Sequence, residues 1–217
     1  MDNVSSLIDY TLLKPTATWA EVRALCDEAK EADVASICIA PCFVKRANAY
    51  LAGEVAICTV IGFPLGYTTT TVKVAETINA VANGASEIDL VINLGDVKAG
   101  EFTKVEAEIR QIKIATAGKI LKVIIETCYL TEDEKVELCK VVTRAGAAFI
   151  KTSTGFGSGG ATVADISLMK AHVGSEVGIK ASGGIRSYED ATGLIAAGAT
   201  RLGTSSLLRS PKVESDY

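Results

Sequence analysis

Short runs rich in isoleucine, valine and leucine recur along the chain, at about 7–11, 34–40, 55–61, 86–92, 120–126, 147–151, 177–181 and 199–203. Between most of them the apolar residues fall at helical spacing. Val22, Leu25, Cys26 and Ala29 do so in one segment, and Val136, Cys139, Val142 and Ala145 in another. Strand-like runs alternating with helix-like segments predict a parallel α/β sheet. Helix starts are marked by Thr18-Trp19-Ala20-Glu21, Thr131-Glu132-Asp133-Glu134, Thr162-Val163-Ala164-Asp165 and Ser187-Tyr188-Glu189-Asp190. Each fits a capping box, in which a hydroxyl satisfies an orphan N–H and an acid reaches back. Helix ends are marked by Gly84-Ala85, Gly146-Ala147 and Gly198-Ala199, just before three of the strand-like runs. The repeat is carried by this punctuation rather than by residue identity.

Eight such units predict a single domain over 1–217, an α/β fold of the (β/α)8 TIM-barrel class. The chain's 217 residues are short for a closed barrel but within the range that starts at about 200. An open, doubly wound sheet is the alternative. Polar positions inside the strands discriminate, because buried parallel strands normally read as unbroken apolar runs. Here Asp9, Asp89, Lys122, Glu126, Lys151 and Lys180 sit within or at the ends of such runs. Alternation puts Phe149 with Lys151, Gly178 with Lys180, and Glu87 with Asp89 and Val91. If the apolar partners face the helices, the charges point into a barrel.

Two lysines on neighbouring strands carry a chemical implication. Adjacent strands lie about 4.8 Å apart, so Lys151 and Lys180 come close, and two ammonium groups there repel. One then gives up its proton more readily, and a neutral lysine is a nucleophile toward carbonyls. Asp9 and Asp89 are placed to orient Lys180, keep it charged and relay protons. Barrels put their chemistry at the C-terminal ends of the strands.

Lys180 is followed by Ala181-Ser182-Gly183-Gly184-Ile185-Arg186 and a capped helix, and the last strand runs into Gly203-Thr204-Ser205-Ser206. Glycine N–H groups, a helix N-terminus and an arginine suit a phosphate, and the loops after strands seven and eight are where barrels often hold one. Gly155-Phe156-Gly157-Ser158-Gly159-Gly160 matches G-x-G-x-x-G formally, but it comes late and is separated from its strand, so a flexible or phosphate-facing loop is expected rather than a nucleotide site.

Composition limits the function further. Net charge is −4, which argues against nucleic acid or a polybasic membrane patch as partner. The N-terminus lacks a secretory pattern, and no apolar run is long enough to span a bilayer. There are six cysteines without a C-x-x-C pair and one histidine, His172. No metal site is expected, and reduced cysteines point to the cytoplasm.

The segments LIDYTLLKP, SICIAPCFV, TVIGFPLG, EIDLVIN, KVIIETCYL, FIKTSTGFGSGGAT, IKASGGIR and LGTSS resemble, in order and over nearly the whole chain, the deoxyribose-phosphate aldolase family. The resemblance implies a class I aldolase without metal or other cofactor. Such an enzyme splits 2-deoxy-D-ribose 5-phosphate reversibly into D-glyceraldehyde 3-phosphate and acetaldehyde. It implies that Lys151 forms the Schiff base, that Lys180 is the second lysine, that Asp89 relays protons and that Asp9 supports Lys180. It further implies that Thr154, Gly183, Gly184, Gly203, Ser205 and Ser206 serve the phosphate, that Tyr217 reaches the site from the C-terminus, and that the protein is a homodimer or homotetramer. Tyr10 stands where many members have histidine, and Phe156 where one subgroup has lysine. A related Schiff-base barrel with another donor, or a phosphate-binding barrel without catalysis, are the rival expectations.

Overall fold

Eight parallel strands close on one another in chain order, in a computed structural model that describes residues 4–208. They are β1 (Ile8–Leu12), β2 (Ser36–Ile39), β3 (Ile57–Ile61), β4 (Glu87–Val91), β5 (Ile120–Ile124), β6 (Phe149–Lys151), β7 (Gly178–Ser182) and β8 (Arg201–Thr204). Closure comes from β1 pairing with β8, with Asp9 level with Gly203. The sheet is therefore a (β/α)8 barrel and not an open, doubly wound one.

Outside the barrel run α1 (Trp19–Ala32), α2 (Val44–Leu51), α3 (Thr70–Ala82), α4 (Leu94–Lys98), α5 (Phe102–Ala115), α6 (Glu132–Ala145), α7 (Val163–His172) and α8 (Tyr188–Ala197). The short α4 precedes the main crossover helix α5. The alternation of each strand divides the core in two. Ile8, Tyr10, Ile37, Ile88, Leu121, Val123, Ile150, Ile179 and Leu202 face the helices in one continuous apolar layer. Cys38, Cys58 and Val60 form a separate small cluster. They share the inner side with the charged residues. Burying the outer layer supplies the main stabilisation, at about 25 cal/mol per Å² of apolar surface.

The capping expectations hold at Thr18, Thr131 and Ser187, each with both halves of the box. Thr162 accepts from the Asp165 amide, but Asp165 does not reach back. Its carboxylate is taken by Lys135 at 2.6 Å. Gly84, Gly146 and Gly198 all adopt positive φ at the helix exits. Strand bounds differ from the expected ones by up to two residues, and β1, β7 and β8 each end one residue later. Glu126 falls outside β5 because its backbone turns left-handed, with φ 51°. Tyr10 faces α1, where its hydroxyl donates to Glu28 at 2.5 Å. His172 is exposed at the end of α7, and Trp19 packs edge-on to Tyr50 with centroids 6.0 Å apart.

Candidate active site

Parity places seven ionic side chains inside the barrel. Lys151, Lys180 and Arg201 are consecutive partners in the register of β6, β7 and β8. Like charges on adjacent strands are unfavourable alone. Carboxylates from β1 and β4 offset them. Asp89 Oδ2 accepts from Lys151 Nζ at 2.8 Å and from Lys180 Nζ at 2.7 Å. Lys180 also donates to Asp9. Arg201 binds Asp9 Oδ1 at 2.6 Å and Glu87 Oε2 at 3.0 Å. The two lysines thus meet through one carboxylate oxygen.

Lys122 is the hub of this network. Its ammonium lies 2.6 Å from Glu87, 2.9 Å from Asp89 and 3.1 Å from Asp9, and also 3.1 Å from Cys58 Sγ. Four cations thus face three carboxylates. Three of those cations balance the carboxylates without Lys151.

The titration behaviour follows from competition between burial and charge. Burial alone would raise the Asp9 carboxyl, but Lys180, Lys122 and Arg201 outweigh it and hold it far below the usual range. Asp89 is likewise opposed by burial and held well down by Lys122, Lys151 and Lys180. Burial pushes Lys180 toward the neutral form, and Asp89 and Asp9 more than reverse this, so it stays an ammonium. Lys122 is held charged in the same way.

Cys38 and Cys58 are register partners on β2 and β3. Cys58 Sγ donates to Asp89 Oδ1 at 3.1 Å. Cys38, Cys58 and Asp89 bring potential ligand atoms within 4.8 Å of one another. The Lys122 ammonium already occupies the space beside two of them.

Above the network opens a cavity of about 670 Å³ at the C-terminal ends of the strands, a size suited to a small ligand. Lys151 is at its inner end, and Thr154, Gly183, Gly184, Gly203, Ser205 and Ser206 all line it. Among the described residues its charged lining is Lys14, Lys151 and Arg186, with no carboxylate. Gly183 and Gly184 have φ of 83° and 78°, which side chains rarely adopt, and they lead into the capped start of α8. The Thr154 hydroxyl is engaged, donating to Glu126 and accepting from the Phe156 amide at 3.0 Å. The Ser206 hydroxyl donates to the Ile185 carbonyl at 3.3 Å. The glycine run beyond Gly155 is explained by packing. A Cβ on Gly160 would lie 2.3 Å from the Gly183 carbonyl oxygen.

Over residues 4–209 the chain matches the family described as DeoC/LacD family aldolase. The chain belongs to that family. It is an aldolase, a carbon–carbon lyase. It is 54% identical, over the full length of both chains, to the deoxyribose-phosphate aldolase of Clostridioides difficile (strain 630). Its fold matches a solved aldolase, QR15, with TM-score 0.92 and 41% identity over 96% of this chain and 94% of that one. It also matches the tetrameric deoxyribose phosphate aldolase of Aeropyrum pernix, with TM-score 0.87 and 35% identity, covering 94% and 87% of the two chains.

The structure brings Lys151, Lys180, Asp89 and Asp9 together and gathers all six expected phosphate residues around one cavity. Tyr217 lies outside the described residues. Sequence reasoning noted Lys122 and Glu87 only as strand charges and missed Arg201 and Lys14. Parity could have found Arg201, which shares the inner face of β8 with Gly203. Nothing in the pattern marks Lys14.

Proposed function

We propose that this aldolase cleaves 2-deoxy-D-ribose 5-phosphate reversibly to D-glyceraldehyde 3-phosphate and acetaldehyde through a Schiff base on Lys151. The observation that carries the proposal is a cavity with Lys151 at its inner end and a glycine-rich anion cradle at its rim, and with no carboxylate among the described residues that line it. One end suits an aldehyde and the other a phosphate.

In this mechanism the Lys151 amine attacks C1 of the open-chain sugar, and loss of water gives an iminium. The iminium is an electron sink for the C2–C3 bond. Two carbons stay on Lys151 as the enamine of acetaldehyde, and three leave as the phosphorylated aldehyde. Cleavage frees the proton of the C3 hydroxyl, and the enamine takes a proton at C2 before water hydrolyses the imine. Asp89 touches both lysine nitrogens through one oxygen, so it gives these protons a short path between Lys151 and Lys180. Asp9 keeps Lys180 oriented and charged. The phosphate sits on Gly183, Gly184, Ser205 and Ser206, with Gly203 and Thr154 shaping the wall.

Borohydride reduction with acetaldehyde, followed by peptide mass, tests this. A two-carbon adduct on Lys151, absent in Lys151→Leu, is expected. A folded protein without adduct, or an active Lys151→Leu variant, overturns it. A cytoplasmic homo-oligomer, dimer or tetramer, fits the tetrameric relative, the free cysteines and the absence of a membrane-spanning helix among the described residues. Light scattering on the purified protein and cell fractionation test those two points.

A further inference from the structure

The phosphate rim is built from consecutive loops of the barrel. β7 supplies Gly183 and Gly184, and β8 supplies Ser205 and Ser206. The loops flanking this pair follow β6 on one side and β1 on the other. On the β6 side stands Phe156, half exposed and packed edge-on against Phe63 at 5.3 Å, which offers a phosphate no charge. On the β1 side stands Lys14, which lines the same cavity.

We propose that Lys14 is the second phosphate cation of this site, acting beside Arg186 from the flank opposite Phe156. The proposal rests on the sugar-phosphate function given above. Its backbone is preset for the role. Lys14-Pro15-Thr16-Ala17 form a turn closed by the Ala17 amide to the Lys14 carbonyl at 3.0 Å, with proline at the position that favours it. The residue before proline is held extended. The side chain is parked at the start of α1. Its ammonium donates to Glu21 Oε1 at 2.5 Å, while Glu21 Oε2 accepts from the Thr18 amide at 2.8 Å to cap the helix. Lys14 is 51% exposed in that pair, and ion pairs so exposed hold weakly. A phosphate dianion in the cradle draws the ammonium off a carboxylate that the helix cap keeps in place.

The test compares wild type, Lys14→Met and Glu21→Gln on 2-deoxyribose 5-phosphate and on unphosphorylated 2-deoxyribose. Lys14→Met is expected to lose about tenfold in kcat/KM for the phosphorylated sugar, carried by KM, as for one charge-assisted hydrogen bond. Its loss on the unphosphorylated sugar is expected to be much smaller. Glu21→Gln, which keeps a side chain able to cap, is expected to lower KM for the phosphorylated sugar. Equal losses on both sugars, or none on either, overturn the proposal. Inorganic phosphate binding by calorimetry gives a readout independent of turnover. Weaker binding by Lys14→Met supports the proposal even if wild type fails to cleave the sugar phosphate, an outcome that would sink only the substrate assignment. Equal binding overturns it.

Discussion

Replacing Lys122 by methionine isolates the hub of the network. Methionine keeps most of the stem, so little cavity opens and the change is one of charge. The lost ammonium touches Glu87, Asp89 and Asp9 within 3.1 Å. Removing one partner of a buried ionic cluster costs about 3–5 kcal/mol, because the other charges stay behind desolvated. In a chain of this size that lowers the unfolding midpoint by roughly 6–20 °C.

The carboxylates add a second consequence. Lys122 is one of the charges that hold the Asp9 and Asp89 carboxyls down, so its removal raises both and takes away stability that is present only while they are ionised. The deficit is therefore expected to be larger at pH 6 than at pH 3. Thermal melts across pH measure both the cost and its pH dependence. A midpoint within about 2 °C of wild type would refute the estimate of cost. A deficit unchanged between pH 3 and pH 6 would refute the coupling of Lys122 to the two carboxylates.

Three further outcomes are expected. Asp9 and Asp89 have depressed folded values, so their contribution is present above the unfolded carboxylate value of about 3.9 and is lost as pH falls below it; a melting midpoint at pH 3 equal to that at pH 6 would contradict this. Gly160→Ala pushes a Cβ against the Gly183 carbonyl, so KM for the phosphorylated sugar is expected to rise roughly tenfold, and unchanged kinetics would show that the cradle is not held by this contact. Outside the barrel, Lys73 donates to Glu108 at 2.7 Å and to the Val91 carbonyl at 2.9 Å. Lys73→Met alone is expected to cost about 3–5 kcal/mol and Lys73→Met with Glu108→Leu much less, by denaturant unfolding; equal costs would show that the pair is not coupled.

The barrel and the identity of four central residues were legible because both rest on local period. A charge at an inward position of a buried strand is visible from its neighbours alone, as Lys151 is between Ile150 and Thr152. The loop glycines were legible too, since left-handed backbone selects glycine at the positions themselves. Partnership was not legible. Asp9 and Arg201 are 192 positions apart and meet only because β1 closes on β8. Lys14 takes its place from the order of loops around the rim, which no alternation records.

That gap changes how the two lysines work. Two ammonium groups on neighbouring strands suggest direct repulsion as the source of reactivity. In the closed barrel Asp89 lies between them and accepts from both, so neither lysine faces the other bare. Lys180 is held charged by Asp89 and Asp9, Lys122 by the same carboxylates, and Arg201 completes three cations on three carboxylates. The fourth cation position, Lys151, is also the one that lines the cavity. Substrate arriving there therefore meets the Lys151 nitrogen already hydrogen-bonded to Asp89, the carboxylate that also holds Lys180.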